Sequence, residues 1–224
     1  PNFKNVRSLM NEAYNLGTEY VLVEINNESF QILPYRLEQA LLNMDTYGLD
    51  EFWTVFHGEK VKDLDYDYKM ELELRRINIS PEQVLQREFL RENEIVDGWE
   101  YQYDRNGNVM KDSLGNDIKV DKVVKVRARV NEFEQYKESQ MLANVNFHDL
   151  RSERLLKSFP IESQFVFSNI YSTFRGDERA LNFEDRQLLR NRPVQFPTNE
   201  QMVLDTGEDL KQKMRQIIRN FNFN

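Results

Sequence analysis

Three acidic side chains alternate along one stretch of the sequence, at Asp63, Asp65 and Asp67. If this stretch is a strand, these side chains share one face at a spacing of about 7 Å, where carboxylates can ligate a hard cation or transfer protons. A strand with one charged face in water explains the same pattern more simply. We therefore predict that no metal is bound here.

The other residue types that carry out catalysis do not form a recognisable pattern. The two histidines, His57 and His148, lie outside any metal-binding spacing, and the glycine patterns that hold phosphates or present a nucleophilic serine are missing. The chain has no cysteine, which excludes thiolate sites and a cysteine nucleophile. We expect a protein without enzymatic activity or cofactor. The alternative is a hydrolase in which Asp63, Asp65 or Asp177 carries out acid–base chemistry.

Residues 104–115 place acidic and amide side chains in an order similar to that of a calcium-binding loop. The sixth position is Val109 where such a loop needs glycine, and the twelfth is Gly115 where it needs glutamate. Tight turns at 104–108 and 112–117 account for these residues instead, because Asp, Asn and Gly favour turns.

Aromatic and charged side chains are mixed in the stretch 165–181, which we expect to leave a strand and to precede a helix. Functional residues often lie on loops that leave a rigid scaffold. Our candidates for a binding patch are therefore Tyr171, Arg175, Asp177 and Arg179. The alternative is an internal Arg–Asp network that holds the loop against the sheet.

The charge balance argues against two classes of partner. The 224 residues include 30 basic and 38 acidic side chains, for a net charge of -8. This charge opposes binding to nucleic acid and to anionic lipid surfaces. The sequence also lacks an apolar run of roughly 18 residues, the length that a membrane-spanning helix needs.

Helical spacing of apolar residues is confined to the two ends of the chain. It predicts helices over 6–16, from Pro34 to Gly48 with Leu37, Ala40, Leu41 and Met44 in one stripe, over 182–189, and from Thr198 onward past Gly207. Phe52, Trp53 and Phe56 follow the second helix and are expected to form a packing corner.

Alternation of apolar and polar residues predicts strands over most of the remainder, at 20–25, 63–75, 120–130, 141–147 and 159–167. Residues 80–83 read as a helix start, with a short helical turn that becomes extended over 84–94. The predicted fold is α+β, an antiparallel sheet or meander with helices at the N- and C-terminal ends packing on it. We expect one domain over 1–224, with an alternative division into a helix–strand–helix unit, 1–62, and an antiparallel sheet with C-terminal helices, 63–224.

The region from about Asp63 to the C-terminus resembles uncharacterised cell-envelope proteins, of the lipoprotein type, from Bacteroidota-type bacteria. Three stretches carry this resemblance: 97–101 (DGWEY), 108–117 (NVMKDSLGND) and 165–181. The resemblance implies a periplasm-facing location and an outer-membrane anchor through a lipidated N-terminus upstream of Pro1. It supplies no catalytic or binding residue.

These observations together predict a non-enzymatic, periplasm-facing protein that docks onto a protein partner. We expect it to be an accessory subunit of an outer-membrane or periplasmic assembly, with membrane association only through its N-terminal anchor. A small-ligand carrier, which needs an apolar cavity between sheet and helices, is a further alternative.

Overall fold

A computed structural model describes residues 6–43, 47 and 53–223 of the chain. The chain forms two compact units: unit 1 comprises Pro1–Pro81, Lys137–Phe167 and Pro197–Asn224, and unit 2 comprises Glu82–Tyr136 and Ser168–Phe196. The expectation of one domain over 1–224 stays a prediction.

Helices and strands both occur, with β-structure dominant, as the α+β expectation requires. The helices are α1 (Val6–Gly17), α2 (Tyr35–Leu42), α3 (Phe183–Leu188) and α4 (Asn199–Asn220), with a short 3₁₀ helix at Glu178–Ala180. The strands are β1 (Glu19–Asn27), β2 (Thr54–His57), β3 (Tyr68–Ile79), β4 (Gln83–Tyr101), β5 (Lys119–Asp149) and β6 (Arg154–Gly176).

The sheet is mixed, so the prediction of a purely antiparallel sheet is wrong. In unit 1, β1 lies between β2 and β3 and is parallel to both, whereas β3 pairs antiparallel with the second half of β5. The long connections after β1 explain this, because parallel neighbours need a crossover and cannot be joined by a tight turn. The chain between β1 and β2 contains α2, so a tight turn does not join these two strands.

The core of unit 1 lies between this sheet and two helices. Alternate residues of β3, Met70, Leu72 and Leu74, are fully buried and pack with Leu210 and Met214 of α4. Helix α2 adds buried leucines at 37 and 41 to the same cluster. The predicted packing of the C-terminal helix on the sheet is therefore confirmed.

The strand predicted to begin at Asp63 begins only at Tyr68. The parallel ladder starts where Val21 of β1 faces Tyr68, and just before it the Asp67 N–H donates to the Tyr20 carbonyl at 3.0 Å. Asp63 and Asp65 precede this ladder. Asp63 has a positive φ of 62°, and Asp65 lies exposed outside the strand. The three aspartates do not share a strand face, which removes the basis for a metal site there.

The prediction of a helical turn after residue 80 is also wrong, because β4 is extended from Gln83 to Tyr101. It pairs antiparallel with the first half of β5, from Gln83 opposite Tyr136 to Tyr101 opposite Lys119. The local capping signal is overridden by this long ladder, as strand formation depends strongly on tertiary context.

Two further strands are longer than predicted. The stretches 120–130 and 141–147 belong to one strand, β5, and β6 continues through residue 176. The intervening residues 131–140 have no Gly or Pro to end a strand. Tyr171 and Arg175 therefore lie on a strand, contrary to the loop that the sequence predicted.

Local signals at the helix ends are confirmed. Asn182 and Asp185 form a reciprocal capping box at α3, and the Thr198 side chain accepts from the Gln201 N–H at the start of α4. Gly207 lies within α4 without interrupting it, next to Leu37. The predicted second helix ends at Leu42, and its expected continuation through Met44 to Gly48, with Phe52, lies outside the described residues.

No helix in the part of the chain that the structure describes has both the length and the apolar character to cross a membrane.

Candidate functional site

One face of the unit 2 sheet is covered by the segment that follows β6. Val126, Ala128 and Val130 of β5 are buried against Ala180 and Leu181. Side chains of a strand alternate between its two faces, so Arg127 and Arg129, which lie between these buried residues, point to the opposite face. That opposite face, which we call the open face, is the candidate site.

The open face carries a groove to which all three strands of unit 2 contribute. Its lining residues are Gln86 and Glu88 of β4, Arg129, Asn131 and Phe133 of β5, and Thr173, Phe174, Arg175 and Gly176 of β6. The groove is mainly polar, with guanidinium, carboxylate, amide and hydroxyl groups beside two phenylalanines. These groups can orient a ligand or a partner surface through hydrogen bonds.

An aromatic pair lies beside the groove. The rings of Phe133 and Tyr171 are stacked, with centroids 5.1 Å apart and an interplanar angle of 13°. Both side chains are only half-buried, so the pair offers apolar surface with a phenolic hydroxyl. Aromatic side chains of this kind commonly anchor protein interfaces.

Two guanidinium groups line the same groove. Arg129 lies 3.5 Å from the Glu88 carboxylate, whereas Arg175 is exposed and has no ion pair or hydrogen bond among the described residues. Like charges on neighbouring strands repel each other. An acidic group placed over Arg175 would relieve that repulsion and gain charge-assisted hydrogen bonds.

Asp177 and Arg179 are instead committed to each other. The guanidinium of Arg179 donates to Asp177 at 2.7 Å and to Asp97 at 3.0 Å, and the Asp177 carboxylate also accepts from the Arg179 backbone N–H at 2.9 Å. Hydrogen bonds from the Arg179 side chain lower the pKa of Asp177 to about 2. The same pairs raise the pKa of Arg179. This arrangement is the internal network that the sequence left as the alternative.

The structure therefore divides the four predicted binding residues into two pairs. Tyr171 and Arg175 belong to the open face, and Asp177 and Arg179 close the turn after β6. Sequence reasoning missed Arg129, Asn131 and Phe133. Finding all three required the cross-strand register.

The two histidines contact residues that the sequence did not connect with them. His57 Nδ1 is 3.0 Å from the Tyr66 hydroxyl, and His148 Nε2 is 3.6 Å from a Glu71 carboxylate oxygen. Within residues 6–43, 47 and 53–223, no three or more His, Asp or Glu side chains are grouped so that they could hold a metal ion.

The turn interpretation of residues 104–117 is confirmed. The Asp104 carboxylate accepts from the backbone N–H groups of Asn106 and Asn108, each at 2.8 Å. Asp112 accepts in the same way from Leu114 at 2.8 Å and Asn116 at 2.9 Å. Hydrogen bonds from Asn108 and Asn116 lower the pKa values of these two carboxyl groups. The oxygens are thus used within the turns.

Comparison with known proteins gives limited information. No protein-family model matches the chain, and no curated protein matches it. A solved structure that is similar to it is that of a homolog of the neuraminyllactose-binding hemagglutinin from Helicobacter pylori, at 12% identity and a TM-score of 0.40. The match covers 91% of this chain and 87% of that one. At this level of similarity the match carries no conclusion about fold or function.

Proposed function

We propose that this chain is a non-enzymatic protein of the cell envelope that docks onto a protein partner through the open face of unit 2. The observation that carries the proposal is the exposed guanidinium of Arg175, which no described residue pairs with, beside Arg129 and the Phe133–Tyr171 stack. Arginine and aromatic side chains are the types most enriched among residues that dominate binding energy.

The groove also indicates what the partner contributes. A carboxylate can accept two parallel hydrogen bonds from a guanidinium, and no described residue accepts from the Arg175 guanidinium. The neighbouring aromatic pair supplies apolar area, and Asn131 with Thr173 supplies adaptable polar contacts. We expect the docked surface to present an acidic side chain next to an apolar one.

The location in the cell envelope rests on the resemblance to lipoprotein-type envelope proteins. The role of accessory subunit in an outer-membrane or periplasmic assembly, held near the membrane by a lipidated N-terminus, belongs to the same proposal. The net charge of -8 is consistent with attachment through such an anchor, because it disfavours direct adsorption of the chain to anionic lipid.

An acid–base role for Asp177 fits the geometry poorly. A general acid or base works best when its pKa lies near the operating pH. Hydrogen bonds from Arg179 place the Asp177 pKa at about 2, so the carboxylate is ionised near neutral pH and is a weak base. The same bonds occupy its oxygens. Docking therefore accounts for the site better than hydrolysis does.

The test is affinity purification of the full-length protein from its native envelope in mild detergent, followed by mass spectrometry. We expect one partner in stoichiometric amount with the wild type, and loss of that partner with Arg175→Glu. Arg105→Glu is the matched control, because Arg105 is exposed in a hairpin turn of the same unit and makes the same charge change. Recovery of the chain alone, or equal recovery with both variants, would contradict the proposal.

A further inference from the structure

The strand β4 is an edge of the sheet that has a pairing partner on one side only. Its 19 residues pair with β5, and among the described residues no strand pairs with the opposite side of β4. Alternate N–H and C=O groups of an edge strand point away from the existing sheet, where they can pair with another chain. A row of unused backbone donors and acceptors therefore runs along β4.

This edge lacks several protections that natural edge strands use. It has no proline, no lysine and a single irregularity, between Val96 and Trp99, so the stretch from Gln83 to Val96 is regular. Most of its side chains are exposed, and the exposed ones include the apolar Leu90 at 64%. An edge that is long, regular and accessible can accept an added strand.

Acidic side chains mark the open-face side of this edge. Glu92 and Glu94 of β4 lie directly opposite Arg127 and Lys125 of β5, whereas Glu88 reaches Arg129 diagonally, since Arg129 lies opposite Leu90. The ion pairs are Glu88–Arg129 at 3.5 Å, Glu92–Arg127 at 2.6 Å and Glu94–Lys125 at 3.9 Å. Each carboxylate has a cation on its β5 side and is exposed to solvent. A strand added at the free side would meet these three carboxylates in alternation.

We propose that the β4 edge binds an extended segment of the docking partner as an additional strand. The segment carries Lys or Arg opposite Glu92 and Glu94, and a third cation opposite Leu90 that reaches Glu88 diagonally, as Arg129 does on the β5 side. Main-chain hydrogen bonds supply affinity, and the alternating side chains set the register. This inference rests on the proposed docking function, because it names how the partner engages unit 2.

A second copy of this chain is a poor occupant of the same edge. If two β4 strands paired antiparallel about Leu90, Glu88 of one copy would lie opposite Glu92 of the other, and a parallel pairing would likewise bring glutamates together. Like charges directly opposite each other destabilise a strand pair. A basic strand replaces that repulsion with the attraction already present between β4 and β5. Charge complementarity thus favours a heterologous basic segment.

The strand β5 provides a ready probe, because it already shows the chemistry that pairs with β4. A fluorescent synthetic peptide with the sequence of residues 123–131 (VVKVRARVN) can be titrated against the full chain by fluorescence anisotropy. We expect saturable binding that weakens as salt is raised, and no binding by a peptide in which the basic residues are replaced by Glu. Absence of binding by the basic peptide would overturn the inference.

Main-chain pairing is tested by N-methylating the peptide at alternate nitrogens in two complementary sets. In a strand, only one set of N–H groups faces β4, because successive N–H groups point to opposite sides. One methylated peptide should therefore lose binding at least tenfold, and the other should keep it. Equal binding by both peptides would show side-chain attraction without strand addition and would overturn the inference.

A variant of the edge itself gives the matched protein-side test. Leu90→Lys places a cation among the positions that face the basic peptide, and we expect at least tenfold weaker binding with an unchanged circular dichroism spectrum. Leu114→Lys is the control, because Leu114 is 86% exposed on a hairpin turn away from the β4–β5 ladder. Equal affinity of the two variants would contradict strand addition.

The same variants separate this inference from the docking function. If the native partner is lost with Leu90→Lys as well as with Arg175→Glu, the docking function and strand addition both stand. If it is lost with Arg175→Glu but kept with Leu90→Lys, docking stands and strand addition is wrong. If it is kept with both, both are wrong.

Discussion

Unit 1 and unit 2 each cover one sheet face, but they bury very different side chains. Unit 1 encloses large residues completely, among them Phe147, Met70 and Leu210. The buried cluster of unit 2 consists of smaller residues: Val126, Ala128, Val130, Ala180 and Leu181. Burial of apolar area stabilises a fold by about 25 cal/mol per Å², so unit 1 gains far more from its core.

Polar contacts have a correspondingly larger part in unit 2. The guanidinium of Arg91 donates two hydrogen bonds to Asp185, at 2.8 and 2.9 Å, and Gln135 bonds both the N–H and the C=O of Val194. Such contacts fix geometry but contribute modestly to net stability. A unit that is held this way can leave aromatic and charged groups on its surface, and both proposed binding surfaces lie there.

The largest effect is expected from truncation in the core of unit 1. Phe147→Ala removes a fully buried ring that stacks on Phe221 with centroids 3.9 Å apart. The lost burial and the remaining cavity should lower the free energy of unfolding by about 3–5 kcal/mol. Chemical denaturation followed by circular dichroism measures this change.

Phe30→Ala is the matched control for that experiment. Phe30 is fully exposed in the loop after β1, so the same change of residue type removes no buried area. We expect a change within about 0.5 kcal/mol. Equal destabilisation by both variants would show that the core of unit 1 does not dominate its stability.

The second prediction concerns the ion pair that holds α3 of unit 2. Asp185→Ala removes both the capping box with Asn182 and the partner of Arg91, whose side chain is 30% exposed. We expect a loss of about 2–3 kcal/mol, below the range for a fully buried pair. Hydrogen exchange should show the loss in unit 2 amides. Glu184→Ala, at an exposed position in the same first turn, should change the stability by less than about 0.5 kcal/mol.

A third, smaller effect is expected at the glycine between Arg175 and Asp177. Gly176 has a φ of 121°, and a side chain there would overlap the carbonyl oxygen of Arg127. Gly176→Ala should cost about 2 kcal/mol, measured by denaturation. Gly107→Ala should cost about 1 kcal/mol, because its φ of 86° is strained but no atom lies within 4 Å. Equal losses of stability in the two variants would mean that the close approach of the β5 backbone does not constrain residue 176.

The sequence predicted features that depend on neighbouring residues and missed those that depend on residues distant in the chain. The caps at Asn182 and Thr198 depend on residues three positions away, and the sequence predicted helices that begin at both residues. The strand β4 carries a local helix-start signal at Ser80 that only its ladder with β5 overrides. Tyr171 and Arg175 were chosen for their residue types, but their neighbours Phe133 and Arg129 lie about 40 residues earlier, and no local pattern connects them.

The smallest predicted effect concerns the network that closes the turn after β6. Hydrogen bonds from Arg179 lower the pKa of Asp177 to about 2. Because this value lies below the pKa of about 3.9 for an unfolded aspartate, the network stabilises the fold fully above that pH. The contribution is lost as the pH falls from about 4 to about 2.

Carboxyl NMR titration of the Asp177 side chain measures this directly. In Arg179→Gln the Asp177 pKa should rise toward its ordinary range, because the guanidinium that donates to its carboxylate is gone. In Arg190→Gln it should stay near 2, since Arg190 is an exposed cation of the same unit with no contact to Asp177. An unchanged pKa in Arg179→Gln would mean that Asp177 is not held by Arg179, and its carboxylate would then be as available for binding as the Arg175 guanidinium.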